Sequence, residues 1–169
     1  MSKLKITNID NESGDHFKLL SAVGDKAIAV NLGNTIRSYV DVKLTSAQLD
    51  TLNATPVSLI AAPGAGKVII VDKVVGFLDY NSAAYAGSSE VLSIRYTNGS
   101  GATICSFQEA GFLEATADTY EVPAIIDVLP VANAAIVAAA NADLTSGNSP
   151  IYLRLYYTVL DLADLGSAE

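Results

Sequence analysis

Between Val42 and Asp72 the chain reads as construction material: a capped turn of helix, a stop, and two β-rich runs around a glycine-rich bend. Thr45 followed three residues later by Gln48 is a capping box, in which the two side chains satisfy backbone N–H groups that a first helical turn leaves unpaired. Ala54-Thr55-Pro56 ends the turn, since a residue preceding proline is pushed out of the helical region. Residues 57–60 and the run beginning at Lys67 then flank Pro63-Gly64-Ala65-Gly66, whose glycines permit backbone angles other residues resist. The stretch holds no reactive constellation, so its information concerns architecture.

The rest of the chain continues that pattern. Residues 39–44 alternate, and 67–80 form a long β-branched run. Under strict alternation Val68, Ile70, Asp72, Val74, Gly76 and Leu78 share one side of that run, and Ile69, Val71, Lys73, Val75, Phe77 and Asp79 the other. Apolar groups on both sides predict a central strand covered twice, once within its own sandwich and once by another subunit, with Gly76 marking a bulge or bend. Residues 91–97 and 102–107 predict a hairpin around Asn98-Gly99-Ser100-Gly101, with Asn-Gly expected to supply positive φ angles. Residues 108–116 fit a strand or a short helix. Residues 120–122 read as a short strand stopped by Pro123, 132–142 as an Ala-rich strand, and 151–160 as the last strand, with Ile151, Leu153, Leu155, Tyr157 and Val159 on one face. Eight or so strands with turn signals every ~8–12 residues predict an all-β, antiparallel sandwich of jelly-roll topology with one short helix.

Composition narrows the function classes. A chain of 169 residues is expected to form one principal domain, burying roughly 70% of the surface its unfolded form exposes. Half the residues are apolar but Trp is absent and Phe scarce, so Val, Ile, Leu and Ala must build the core, with Tyr at its margins. A net charge of −8 without a basic stripe argues against nucleic acid as a partner. No apolar run reaches the ~20 residues of a membrane span and no signal-peptide core follows the N-terminal Lys residues, so synthesis in the cytosol is expected.

Reactive groups are sparse. Cys105 alternates into an apolar run and predicts a buried, inert thiol, and His16 stands in a polar segment far from it. One Cys and one His leave too few ligands for zinc, and no calcium-loop motif is present, although scattered loop carboxylates leave calcium open. Gly64-Ala-Gly-Lys67 lacks the spacing, the following hydroxyl and the helix of a phosphate-binding loop. Asp118, Glu121, Asp161 and Asp164 are read as solvated edge acids. Tyr80, Tyr85, Tyr96, Tyr120, Tyr152, Tyr156 and Tyr157 fit interface positions and core margins equally well. No catalytic residue, cofactor site or metal site is assigned, and the chain is not expected to be an enzyme.

The N-terminal part differs from the rest. Three apolar patches, Leu4, Ile6, Ile9, then Phe17, Leu19, Leu20, then Ile28, Val30, Leu32, are set among Asn, Gly, Ser and Asp. Five cations against four acids give residues 1–37 a net +1, leaving −9 for the remainder. The segment reads as an extended arm able to add edge strands to another protein, with first strands of the core sheet as the competing reading. The expected division is an arm over 1–38, a sandwich over 39–162 and a tail over 163–169.

Taken in order, Leu44-Thr-Ser-Ala-Gln48, Asn53-Ala-Thr-Pro-Val57, Ala62-Pro-Gly-Ala-Gly-Lys67, Arg95-Tyr-Thr-Asn-Gly-Ser-Gly-Ala102, Ala115-Thr-Ala-Asp118 and Leu153-Arg-Leu-Tyr-Tyr-Thr-Val-Leu-Asp161 resemble small head proteins of tailed bacteriophages, the capsid decoration or cement proteins. The resemblance implies a jelly-roll-like subunit, a homotrimer on the outer surface of the virion head, and the major capsid protein as partner. A trimeric tail-fibre, tail-tip or head-fibre module is the alternative. A carbohydrate-binding sandwich, with Tyr80 and Tyr85 lining one groove, is a second.

Overall fold

A computed structural model of the chain describes residues 38–85 and 90–163. Within them lie eight strands: β1 (Ser38–Leu44), β2 (Val57–Ile60), β3 (Lys67–Leu78), β4 (Val91–Tyr96), β5 (Thr103–Gln108), β6 (Thr119–Glu121), β7 (Ile136–Ala140) and β8 (Ile151–Asp161). A single helical turn, α1 (Ser46–Leu49), follows β1. The arm residues Leu4, Ile6, Ile9, Phe17, Leu19, Leu20, Ile28, Val30 and Leu32 lie outside the described residues, as does His16.

One sheet has the order β1-β8-β3-β6 and the other β2-β7-β4-β5. That order arises when the chain forms one long hairpin, β1 against β8, β2 against β7, β3 against β6 and β4 against β5, and the hairpin curls into two layers. All four pairings are present and antiparallel. Curling adds the β3–β8 and β4–β7 pairings that complete each sheet. The fold is a jelly roll.

Local chemistry explains the corners. The Thr45 N–H donates to Gln48 Oε1 at 2.9 Å and the Gln48 N–H donates to Thr45 Oγ1 at 3.3 Å, so the capping box forms as its spacing predicts. Gly64 and Gly66 take φ of 101° and 75° in the bend before β3. The hairpin after β4 is present, but its positive φ falls on Thr97, at 68°, and not on Asn98-Gly99. Asn98 acts through its side chain instead, accepting from the Ser100 N–H at 2.9 Å in an Asx turn. Gly101 is required for close approach, since a Cβ there would lie 1.7 Å from the Tyr96 carbonyl oxygen. Residues 109–113, ambiguous in sequence, form a wide π-type turn broken by Gly111 at φ 93°.

The bulge in β3 is at Asp72, not Gly76. Val71 pairs with Tyr157 and Lys73 with Tyr156, leaving Asp72 as the extra residue. The insertion rephases the strand, so Ile69, Val71, Val74 and Leu78 enter the core while Val75 and Phe77 face outward. Gly76 has a packing role: a Cβ there would lie 2.5 Å from Phe107 Cε1 and 3.0 Å from Phe112 Cζ.

The core between the sheets is aliphatic with a few aromatic struts. The Phe107 and Phe112 rings stack at 4.9 Å between centroids under Gly76. The buried Tyr96 of β4 donates its hydroxyl to the Ile69 carbonyl of β3 at 2.8 Å, tying one sheet to the other. Tyr85 is buried against Gly147 and donates its hydroxyl to the Ser149 carbonyl. Asn148 Oδ1 holds the loop before Tyr85 by accepting from the Ser82 and Ala83 N–H groups, at 3.2 and 3.0 Å.

Candidate interaction surface

The strand register decides which side chains meet on the outer face of the β1-β8-β3-β6 sheet. Tyr39, Asp41 and Lys43 of β1 stand opposite Tyr156, Arg154 and Tyr152 of β8, and these stand opposite Lys73, Val75 and Phe77 of β3. Tyr120 of β6 continues the last row beside Phe77. Opposed residues on one face are close enough to interact directly. Arg154 Nε–H and Nη2–H both donate to the Asp41 carboxylate, each at 2.6 Å, in a two-pronged pair. The guanidinium also lies 4.9 Å from the Tyr39 ring centroid, and Lys43 Nζ lies 5.2 Å from that of Tyr152. Tyr39 approaches Tyr156, and Phe77 approaches Tyr152, with centroids 6.2 Å apart in each case. Between β1, β8 and β3, Asp41, Lys43, Val75, Phe77, Tyr152, Arg154 and Tyr156 line an open groove of about 560 Å³.

Hydrogen bonding to Arg154 holds the Asp41 carboxyl below its ordinary range, while hydrogen bonding to Asp41 raises the guanidinium further above its own. Both side chains are about half exposed, so the pair fixes geometry more than stability. Tyr39, Phe77, Tyr120 and Tyr152 remain exposed, Tyr120 at 78%.

A second surface lies on the connection from β6 to β7. Val122, Ile125, Ile126, Leu129 and Val131 are exposed, Leu129 at 87%. Pro123 and Pro130 deny the segment two ladder donors, and its one pairing described here is Ile126 N–H to the Ile104 carbonyl of β5 at 2.7 Å. It therefore passes from the β6 edge of one sheet to the β5 edge of the other with Val122, Ile125, Ile126, Leu129 and Val131 turned to solvent and Val128 packed against the core. From Val122 to Ala142 the only charged residue is Asp127.

Residues singled out by chemistry are dispersed. Cys105 is fully buried and burial pushes its thiol up to about 12, which keeps it protonated and unreactive. Lys67 opens β3 as the first residue after the Gly64–Gly66 bend. Asp118 accepts from the Tyr80 N–H at 2.9 Å, and Asp161 from the Ala163 N–H at 3.0 Å, so both serve the backbone. Burial raises the Glu121 carboxyl above its ordinary value. Among the described residues no group of three or more His, Cys, Asp or Glu side chains converges, and no helix is long and apolar enough to cross a membrane. Tyr85 is sealed in the core and is not available to the glycan groove in which sequence paired it with Tyr80.

Sequence reading left Tyr120, Tyr152 and Tyr156 undecided between interface and core margin, and gave residues 122–131 no surface role. The outward set of β8, Tyr152, Arg154 and Tyr156, follows from alternation, but its neighbours depend on register. The signal for the second surface was an apolar run, 122–131, bounded and interrupted by proline and assigned to no core strand.

No family model matches the chain, and no curated protein matches it. Among solved structures, it is similar to a chain of the "Acidic stable capsid structure of Helicobacter pylori bacteriophage KHP30", with 16% identity, a TM-score of 0.49, and coverage of 75% of this chain and 93% of that one.

Proposed function

We propose that this protein is a non-enzymatic structural component of a bacteriophage virion, a decoration or cement protein that binds the outer head surface as a homotrimer and strengthens contacts between capsomers. The observation that carries the reading is the exposed apolar segment 122–131, which holds five of the six exposed large aliphatic residues among the described residues, Leu162 being the other. Contiguous apolar groups left in water mark surfaces meant for other proteins. The ordered motifs behind the resemblance to phage head proteins support it from a second side. They fall at the corners of this jelly roll: the β1–α1 cap, the bend into β3, the β4–β5 hairpin and strand β8.

The mechanism needs no chemistry. A trimer touching several capsomers must lose all of its contacts before they separate, so modest interfaces act together through high effective concentration. Binding only the assembled head then stabilises that state by mass action. The test is co-sedimentation of purified protein with undecorated heads of the phage that encodes it, followed by image reconstruction. Saturable density on the outside of the head is expected. Density confined to the tail, or absence of binding, overturns the reading.

A further inference from the structure

The two exposed surfaces differ in chemistry. The groove is aromatic and its lining carries two cations, Lys43 and Arg154, against the single acid Asp41; of Lys43, Lys67, Lys73, Arg95 and Arg154, the cations among the described residues, three stand on that face. Arg154 is engaged by Asp41, while Lys43 lies over the Tyr152 ring at the groove's end. The segment 122–131 is exposed and apolar, and its single charge is the acid Asp127. No groove-lining residue belongs to that segment, so within one protomer the surfaces are distinct patches.

We infer that copies of this chain join head to tail, with the β6–β7 segment of one protomer seated in the β1-β8-β3 groove of the next, Leu129 against Phe77 and Tyr152 and Asp127 toward Lys43. The inference rests on the homotrimer reading and specifies its interface. A contact between two different patches is heterologous, and repeated around an axis it closes into a ring. The reverse arrangement, segment against segment, would bring three Asp127 carboxylates together inside an apolar contact, which like-charge repulsion opposes. Aromatic groups flanking a pocket are favoured anchors for such contacts.

The test uses two full-length variants, Tyr152→Asp in the groove and Leu129→Asp in the segment, both at exposed positions. Each alone is expected to sediment as a folded monomer at concentrations where the unaltered chain is a trimer, with a melting temperature that no longer rises with concentration. Mixed in equal amounts, they retain one intact groove and one intact segment between them, and a one-to-one dimer is expected. A trimer mass for either variant alone, or a mixture that stays monomeric while both components are folded, overturns the inference. An unaltered chain that is itself monomeric overturns it together with the trimer reading. Head binding by the unaltered chain is scored separately, so an interface placed wrongly is distinguishable from a function read wrongly. Should either variant fold poorly, Asp127→Lys is expected to raise the dissociation concentration about tenfold and Lys43→Glu in the same chain to restore it. No rescue counts against the contact.

Discussion

The outer faces of the two sheets contrast sharply. On the β2-β7-β4-β5 sheet the middle of the outer face is small and covered: Ser93, Val137 and Ala139 are buried, Ala139 at 1% exposure, and the Ser93 and Ser106 hydroxyls meet at 3.1 Å, with the half-buried Arg95 beside Val137. On the β1-β8-β3-β6 sheet the outer face carries long, aromatic and charged side chains around the groove, with Tyr39, Phe77, Tyr120 and Tyr152 exposed. The same alternation that feeds one core therefore serves two ends, a closed backing and an exposed display. A face built of Ala and Ser leaves little for a partner to grip, whereas one built of Tyr, Phe, Arg and Lys offers area and orientation at low entropic cost.

The contrast can be broken by substitution. The largest effect is expected beneath both faces: Phe107→Ala removes the ring that stacks on Phe112 and fills the space over Gly76, and should cost about 3–5 kcal/mol in chemical denaturation. Next comes a matched pair on the two outer faces. Ala139→Lys forces a long cationic chain into a covered site and should cost at least about 1–3 kcal/mol, whereas Val75→Lys on the open face should change stability by less than about 0.5 kcal/mol. Equal costs would erase the distinction between backing and display. Thr45→Ala should cost about 1 kcal/mol by leaving the first turn of α1 uncapped, and Thr45→Asn should recover most of it.

The smallest effect concerns pH. Burial raises the Glu121 carboxyl above its unfolded value, so the folded state favours the protonated acid. That preference is fully present below the unfolded pKa and is lost as pH rises through the folded one. Glu121→Gln should therefore raise the melting temperature slightly at neutral pH, and the gain should vanish in acid. A gain that grows in acid would show that Glu121 is stabilised as a carboxylate.

Much of the fold was legible because alternation and turn chemistry are local. The capping box, the β4–β5 hairpin and the inward set Ile151, Leu153 and Leu155 could be read directly, and the strand spacing pointed to the jelly roll. What failed was one residue of phase. Asp72 is unexceptional in a β-branched run, yet as the bulge it exchanges the sides on which Val75 and Leu78 fall, so the residues expected to share each side of β3 were mis-sorted. Thr97 was missed because a positive φ at a β-branched residue contradicts local preference and is imposed by the hairpin's closure. The groove was illegible for a different reason: Asp41 and Arg154 are 113 positions apart and only the β1–β8 register brings them together.

The central claim is that the displayed aromatic face and the exposed 122–131 segment are covered together when the protein assembles. Hydroxyl-radical footprinting of the full chain across a concentration series reads this side chain by side chain. Phe77, Tyr152 and Leu129 are expected to be oxidised at dilution and to become protected in concert as the mass rises to three times 17.6 kDa, while the buried Tyr85 and Phe107 stay protected throughout. If the trimer forms and Leu129 or Tyr152 remains as reactive as in the monomer, or if no concentration changes any of them, the claim is contradicted.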